Sequence, residues 1–264
     1  MRKTFVFPFR FLVQILSKKL VFDFDDAIFV KSSGKKSELR MRRFKALTSK
    51  AHQVWAGNRY LAQNAQKYCP SVKILPTAIN TDKYDKDSIK TDEYIDIVWI
   101  GSSSTRKYLE QLVPTLDELA HKTPGIRLKI IADFDLETKY IKTSAIAWTD
   151  ASEAKELASS HIGIAMIPDD PWSRGKCGLK LIQYMAASLP VVASNTGVHP
   201  DIVEHSVSGF LVNNKKEWIK ALSSLIKNRK QRDSFGARGY DIVKKKYSYN
   251  TTTKQMIDHL NKLI

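Results

Sequence analysis

The sequence predicts an α/β protein of parallel strands and helices, and two observations lead to that prediction. Short apolar segments of strand length alternate with longer amphipathic segments along the 264 residues, and the alternation stops at a polar stretch before it restarts. Apolar residues make up 43% of the chain, which is enough for one large core or two modest ones. Strands flanked by helices at this spacing form a doubly wound parallel sheet, which binds ligands at the carboxyl ends of its strands.

The amino-terminal part contains three predicted strands, at 20–24, 53–56 and 72–75, with helices between them. The residues from 77 to 93 are polar and show no apolar periodicity, which is typical of a linker. The sequence therefore predicts a partial amino-terminal Rossmann domain at 1–78, a linker at 79–94 and a second domain at 95–264.

The second domain restarts the alternation and continues it to the end of the chain. Its predicted strands lie at 95–100, 127–132, 146–149, 162–167, 190–193 and 209–212. Helices are predicted at 107–121 and 152–159, from Gly178 onward, and three times after the last strand. This part therefore contains a complete doubly wound Rossmann unit.

The net charge of +16 indicates an anionic partner, since 43 Lys and Arg residues stand against 27 Asp and Glu residues. Nucleic acid, an anionic membrane surface and a diphosphate substrate would all attract such a chain. No zinc-finger or ribonucleoprotein motif occurs and the lysines are spread out, so we expect no nucleic-acid partner. Residues 31–50 form a basic loop and helix in which Leu39, Phe44 and Leu47 would face a core. Its basic side chains would contact a membrane or simply remain solvated.

Two further features concern the cellular compartment. The two cysteines, Cys69 and Cys177, have no CxxC or zinc-type spacing, which favours a reducing cytoplasm. No apolar run reaches the roughly 20 residues of a membrane-spanning helix. We therefore expect a cytoplasmic protein, or one bound peripherally to the inner face of the membrane.

The most informative segment is the cationic glycine loop, defined here as residues 169–178, in DDPWSRGKCGLKLIQYMAASLPVVAS. Gly175 and Gly178 would adopt backbone angles closed to other residues, and a helix beginning near Gly178 would direct free N–H groups and its positive dipole end into the loop. Lys176 and Lys180 add full charges to the same end. The pattern predicts an anion site, although a glycine turn with solvated lysines is the alternative.

This run resembles the nucleotide-sugar loop of family 4 glycosyltransferases, which are retaining enzymes with the two-Rossmann GT-B architecture. The family's Glu-x7-Glu motif would fall on Gly175 and Gln183, so both carboxylates are absent. Without these carboxylates, the loop resembles that of a subgroup of the family whose sequence is W-x-RGKCG-x-KL-x-QYMA. The resemblance implies that Gln183 serves a ribose hydroxyl through its amide.

A second part of the site is predicted after the strand that ends before Gly101. The following SSSTRKYL places hydroxyl groups and a helix N-terminus where the first turn of a Rossmann sheet holds a phosphate, although the same residues could simply cap the helix. The resemblance implies that residues after this strand contact a diphosphate. The predicted donor-binding residues are Gly101, Ser102, Ser103, Thr105, Arg174, Gly175, Lys176, Cys177, Gly178, Lys180 and Gln183.

The amino-terminal run VFDFDDAIF allows two further interpretations. Asp23-x-Asp25 resembles a metal-binding DxD motif and also the DxDxT nucleophile motif of haloacid dehalogenase phosphatases, but Ala27 replaces the threonine. In the glycosyltransferase resemblance, Asp25 falls near an interdomain histidine of many relatives. That position implies contact with the sugar or the acceptor hydroxyl, and a strand-end acid that caps the next turn is the alternative.

The resemblance implies a metal-independent hexosyltransferase that retains configuration. Its donor would be a nucleotide diphosphate sugar, and its acceptor a cell-surface polysaccharide or a lipid-linked molecule. Asp25 and Lys176 are the expected catalytic residues, with Lys176 stabilising the leaving diphosphate and contributing more than Lys180. The first domain is short for this family, so the alternatives are a non-catalytic nucleotide-sugar-binding module that self-associates and, as a different class, a phosphatase.

Overall fold

The computed structural model describes residues 15–16, 18–84, 90 and 93–263. Its amino-terminal unit is a parallel sheet of three strands in the order β1-β2-β3. The strands are β1 (Val21–Phe24), β2 (Gln53–Ala56) and β3 (Val72–Ile74). Two helices connect them, α1 (Glu38–Thr48) and α2 (Arg59–Gln66). All three strands lie where the sequence predicts them, to within a residue at the ends.

This unit has a hydrophobic core of its own. Phe44 of α1 is fully buried, and its ring lies 5.3 Å from that of Phe24 and 5.0 Å from that of Phe29. Leu61 of α2 is buried in the same cluster. Leu39 was expected to face this core, but it is 57% exposed because it lies on the opposite side of α1 from Phe44.

The carboxyl-terminal unit is a six-stranded parallel sheet in the order β6-β5-β4-β7-β8-β9. Its strands are β4 (Ile95–Ile100), β5 (Ile126–Ala132), β6 (Lys142–Ala147), β7 (Ile162–Ala165), β8 (Val191–Ser194) and β9 (Gly209–Val212). Counted from β4, the order is 3-2-1-4-5-6, which is that of a dinucleotide-binding Rossmann sheet. The order reverses between β4 and β7, and a ligand crevice opens at such a reversal point.

Helices cover both faces of this sheet and bury two clusters of apolar side chains. They are α3 (Arg106–Lys122), α4 (Asp150–Ala158), α5 (Pro171–Arg174), α6 (Leu179–Ala186), α7 (His199–Ile202), α8 (Lys215–Lys227), α9 (Arg229–Lys246) and α10 (Tyr249–Asn261). The last three are the predicted closing helices. The predicted doubly wound architecture is thus present.

Tyr184 of α6 fixes the point where β4 and β7 separate. Its ring is fully buried against Gly163, where an added Cβ would come within 2.5 Å of the ring. Its hydroxyl accepts from the N–H of Ile100 (2.9 Å) and donates to the carbonyl of Ile164 (3.2 Å). Where β4 and β7 move apart, these two backbone groups no longer hydrogen-bond the neighbouring strand, and the Tyr184 hydroxyl takes that place.

The structure differs from the sequence prediction at three places. β6 covers Lys142–Ala147 and not 146–149, because half of this edge strand is polar and gives no apolar run. The one-turn helices α5 and α7 are too short for a periodic signal. The predicted linker is packed at its start, where Tyr84 is buried and Ile79 forms a bridge to Ser248; residues 85–89 and 91–92 lie outside the described residues.

The chain returns from the second unit to the first through α10. The ring of His259 lies 6.4 Å from that of Trp55 in β2, so α10 contacts the amino-terminal sheet. In the described part of the chain, no helix combines the length and the hydropathy that crossing a membrane requires.

Candidate functional site

The predicted site residues lie near the carboxyl ends of the strands, where a crevice is expected in a sheet of this type. Gly101 follows β4, and the cationic glycine loop follows β7 and leads into α6. Both therefore lie at the reversal point of the six-stranded sheet. The same loop contacts the carboxyl ends of β1 and β2, so it lies between the two units.

Lys180, in the first turn of α6, is the cation that lies beside the carboxyl end of β4. Its Nζ lies 3.7 Å from the centroid of the Trp99 ring and 3.4 Å from Thr105 Oγ1. Burial lowers the pKa of Lys180 from 10.5 to about 7. No carboxylate oxygen of the described residues lies within 4.0 Å of this ammonium, which therefore has a ring and a hydroxyl as neighbours and no counter-ion.

Two glycines make room for this arrangement. An added Cβ at Gly101 would lie 2.7 Å from Lys180 Nζ and would clash with the tip of the Trp99 ring. Gly178 caps α6 with φ +69°, a left-handed conformation that favours glycine, as predicted. Gly175 differs from the prediction, since its φ of −81° is open to any residue. Its requirement is space, because an added Cβ would lie 2.7 Å from the backbone nitrogen of Ala27.

The serine turn after β4 is engaged in local hydrogen bonds. Ser103 donates from its backbone N–H and from its hydroxyl to the carboxylate of Asp133, both at 2.7 Å, and these bonds lower the pKa of Asp133. Ser102 and Thr105 form a capping box at the start of the turn. A phosphate would therefore compete with Asp133 for Ser103, whereas Thr105 already lies beside Lys180.

The glycine loop begins with two carboxylates that organise it. Asp170 caps α5 by accepting from the N–H groups of Trp172 and Ser173. Asp169 forms a two-point ion pair with Arg174, with distances of 2.6 and 2.9 Å, and this pair lowers the pKa of Asp169. Arg174 is thus already paired in this structure.

Lys176 is paired as well, but across to the amino-terminal unit. Its Nζ lies 2.9 Å from Asp26 Oδ1 and 4.3 Å from the centroid of the Trp172 ring. Asp26 follows β1 by two residues. An anion that binds Lys176 would have to share it with this carboxylate.

Other residues of the loop join the same wall. Asn58, which caps α2, donates from Nδ2 to the carbonyls of Arg174 (3.2 Å) and Lys176 (2.9 Å). The thiol of Cys177 donates to the carbonyl of Asp25 at 2.8 Å. Burial raises the pKa of Cys177 to about 12, so this thiol is a structural contact and not a nucleophile.

The remaining predicted residues lie at the margins of the crevice. Asp25 is half-buried after β1, with its backbone carbonyl held by Cys177. Gln183 is buried beside Tyr84, whose hydroxyl donates to Glu153 at 2.8 Å. The described residues contain no group of three or more His, Cys, Asp or Glu side chains arranged to hold a metal ion.

Sequence reasoning missed three contributors to the crevice. Asn58, Asp26 and Trp99 are each an ordinary residue at the end of a strand, and only the packing of the loop against the two sheets shows what they contact. A partial signal existed, since each lies within two residues of a strand's carboxyl end, where ligands bind in such sheets.

Two units of parallel sheet, with lysines at the reversal point of the larger one, define the class as an α/β protein of GT-B type. The family model for glycosyl transferases group 1 matches residues 95–228, and the chain belongs to this family. That match begins at β4 and covers the entire crevice on the carboxyl-terminal side.

Curated relatives are distant in sequence. A GDP-mannose-dependent alpha-(1-6)-phosphatidylinositol monomannoside mannosyltransferase of Mycobacterium tuberculosis is 24% identical over 214 residues, covering 72% of this chain and 56% of the relative. The sulfoquinovosyl transferase SQD2 of Arabidopsis thaliana is 26% identical over 171 residues, covering 61% of this chain and 32% of that protein. The chain thus spans about half of the length, or less, of these relatives.

Solved structures confirm the predicted GT-B architecture. Sucrose-phosphate synthase from Thermosynechococcus elongatus superposes with a TM-score of 0.76 at 15% identity, covering 96% of this chain and 69% of that one. HepE of Anabaena, in complex with UDP and glucose, gives a TM-score of 0.76 at 16% identity, covering 96% and 74% of the two chains.

Proposed function

We propose that this chain is a retaining hexosyltransferase of glycosyltransferase family 4, in the subgroup with the RGKCGxKLxQYMA loop. It transfers a hexose from a nucleotide diphosphate sugar to a cell-surface polysaccharide or a lipid-linked acceptor. The observation that supports the donor class is the desolvated ammonium of Lys180, which has no counter-ion among the described residues. A buried charge is stabilised by an opposite one, and a diphosphate at the reversal point supplies it.

The chemistry follows from where charge develops. As the anomeric carbon–oxygen bond breaks, the leaving diphosphate gains negative charge, and Lys180, Thr105 and the first N–H groups of α6 lie where they would stabilise it. Lys176 adds a second cation when the diphosphate displaces Asp26 from it. The acceptor hydroxyl would attack the anomeric carbon from the face that the diphosphate leaves and would give its proton to a departing phosphate oxygen. The new carbon–oxygen bond then retains the configuration at the anomeric carbon.

Asp25 and Gln183 keep the roles that the resemblance implies. Asp25 directly follows β1, and its backbone carbonyl accepts from the thiol of Cys177 just before α6. A carboxylate at this position would accept a hydrogen bond from the acceptor hydroxyl or the sugar. Gln183, which lies beside Tyr84, would hydrogen-bond a ribose hydroxyl through its amide. Substituting each by Ala and measuring transfer and nucleotide affinity separately assigns them to the acceptor side or the donor side.

The first test is nucleotide binding by calorimetry. UDP and GDP are the probes, because relatives are named as GDP-mannose-dependent or are solved with UDP. We expect one of them to bind without added metal, and binding to survive EDTA. Binding that disappears in EDTA and returns with magnesium would contradict the metal-independent mechanism and favour the phosphatase interpretation of Asp23 and Asp25.

The second test separates an enzyme from a binding module. The nucleotide sugar of the preferred base is incubated with the chain and acceptor-containing membrane extract, and both transfer and release of free nucleotide are measured. Transfer that stops when Lys180 is replaced supports the enzyme. Tight nucleotide binding with no transfer and no donor hydrolysis supports the module.

The membrane partner is the last part of the proposal. The solvated face of α1 exposes Leu39, Arg40, Arg42 and Lys45, which fits the anionic inner surface of a membrane. We expect sedimentation with phosphatidylglycerol vesicles, no sedimentation with phosphatidylcholine vesicles, and release by salt. Ultracentrifugation of the same samples reports any self-association.

A further inference from the structure

Asn58 uses all of its side-chain hydrogen-bonding groups at one junction. It is 4% exposed, and its Oδ1 accepts from the N–H of Leu61 at 2.9 Å, which caps α2. Its Nδ2 donates to the carbonyls of Arg174 and Lys176, which lie 116 and 118 residues further along the chain. A single buried amide therefore connects a helix of the amino-terminal unit to both sides of Gly175.

These hydrogen bonds fix the orientation of the loop's peptide groups. A trans peptide directs its C=O and N–H to opposite sides, so holding the Lys176 carbonyl turns the N–H of Cys177 away from Asn58. Among the described residues, the N–H groups of Cys177 and Gly178 have no backbone or side-chain acceptor. The loop thus presents free donors beside the N-terminus of α6.

The surrounding contacts show that the loop fits closely against the first unit. Gly57, next to Asn58, leaves room for the thiol of Cys177, since an added Cβ would lie 2.6 Å from Sγ. Gly175 leaves room for Ala27 in the same way. The conformation of the loop therefore depends on residues from the ends of both β1 and β2.

We infer that Asn58 is a positioning residue for the donor site, so that the amino-terminal unit determines the geometry with which the loop binds a diphosphate. This inference rests on the proposed function. We expect no direct contact between Asn58 and the donor. It acts through the two carbonyls that it holds, and through them on the free N–H groups and on Lys176.

The isosteric variant Asn58→Asp tests this role, because it separates the two functions of the side chain. A carboxylate still caps α2, whereas it cannot donate to the loop and places negative charge against two carbonyl oxygens. We expect the midpoint of thermal unfolding to fall, because the buried carboxylate faces two carbonyl oxygens that have lost their donors. At a temperature where the variant is fully folded, UDP or GDP, whichever the wild type binds, should bind about tenfold more weakly. At pH 5 the introduced carboxyl is protonated more often, and its O–H can then donate to one of the two loop carbonyls. The difference in nucleotide affinity between Asn58→Asp and wild type should therefore be smaller at pH 5 than at pH 7.

Asn228→Asp is the matched control, since Asn228 caps α9 through an N–H of Gln231 and lies away from the loop. It should change neither affinity nor stability. If Asn58→Asp does not fold, Asn58→Ser is measured in its place, because serine keeps a cap and removes both donors. A folded variant with affinity within twofold of wild type at both pH values would overturn the inference.

Hydrogen exchange separates this inference from the proposed function. Amides of residues 173–176, which are hydrogen-bonded, should exchange faster in Asn58→Asp than in wild type or Asn228→Asp, with no ligand present. If Asn58→Asp exchanges faster but the wild type binds neither nucleotide, Asn58 positions the loop and the proposed donor site is wrong. If exchange is unchanged and the variant binds nucleotide as the wild type does, the donor site stands and the positioning role of Asn58 is wrong.

Discussion

The segment from the glycine loop into α6 carries cations at two places, here called its amino end (Arg174 and Lys176) and its carboxyl end (Lys180), and these cations differ in what they contact. At the amino end, Arg174 is paired with Asp169 and Lys176 with Asp26. At the carboxyl end, Lys180 lies over Trp99 without a carboxylate within 4.0 Å among the described residues. We therefore expect an anion to bind where a cation has no counter-ion, rather than where lysines are most numerous.

The same comparison leads us to propose the opposite order for the two lysines. The sequence prediction gave Lys176 a larger contribution than Lys180. In the structure, Lys176 is partly exposed and forms an ion pair with Asp26. The free energy changes little when a ligand replaces one partner of an exposed ion pair. A desolvated ammonium without a partner gains more from an arriving anion.

The largest effect is therefore expected from Lys180→Met. Methionine keeps the apolar stem over Trp99 and removes the charge, so UDP or GDP binding should weaken by roughly 2–3 kcal/mol, the value of a charge-assisted contact. Thermal stability at pH 7 should not fall, because a desolvated charge is removed from the folded state. Calorimetry and a thermal melt of the same sample measure both quantities.

Lys107→Met is the control for this prediction. Lys107 is exposed at the start of α3, near the same crevice, and contacts the ring of Tyr108. Its replacement should leave nucleotide affinity within about twofold, since exposed charges contribute less than 1 kcal/mol. Equal losses in the two variants would mean that overall positive charge attracts the nucleotide, and the distinction between the two loop ends would be wrong.

The next prediction concerns pH. The pKa of Lys180 is lowered from 10.5 to about 7, so above pH 7 the free protein loses this proton, and a bound diphosphate favours its return. Between pH 7 and 10.5, nucleotide binding should take up a proton and weaken by at most tenfold per pH unit. Over the same window the folded state binds fewer protons than the unfolded one, so this group makes the free energy of unfolding rise with pH.

Calorimetry in two buffers of different ionisation enthalpy measures this proton uptake directly. Lys180→Arg should abolish it, because arginine stays charged throughout the range. Proton uptake that persists in Lys180→Arg would assign the titration to another group. Lys180 would then not be the group whose charge responds to nucleotide binding.

The two glycines differ in what they require. Gly175→Ala should destabilise folding by roughly 1–3 kcal/mol, because the new methyl group meets the backbone of Ala27, which cannot rotate away. Gly178→Ala should cost about 1 kcal/mol for its left-handed φ. Its nearest neighbour is the mobile end of the Ile202 side chain, which can adjust. Urea unfolding of both variants measures the two losses in the free energy of unfolding. A loss in Gly178→Ala that equals or exceeds the loss in Gly175→Ala would contradict the prediction.

The sequence was sufficient for the fold because its signals are local. The apolar strand at 95–100 and the glycine before α6 each specify their conformation within a few residues. It was insufficient for the site because the deciding contacts are distant in sequence. Lys176 meets Asp26 from 150 residues away, and Asn58 meets the loop from 116. No pattern within one segment reports such pairs.

The smallest effect is expected from Asp26→Asn, and its direction is diagnostic. The amide cannot form the ion pair, so Lys176 becomes available, and UDP or GDP should bind a few-fold more tightly at low salt, by less than about 1 kcal/mol. Lys176→Met alone should weaken binding only slightly, and the double variant should match it, because Asp26 then has no lysine to withhold. If Asp26→Asn instead weakens binding as strongly as Lys180→Met, Asp26 supports the loop rather than competing with the ligand. The amino end of the loop would then be part of the site in its paired form.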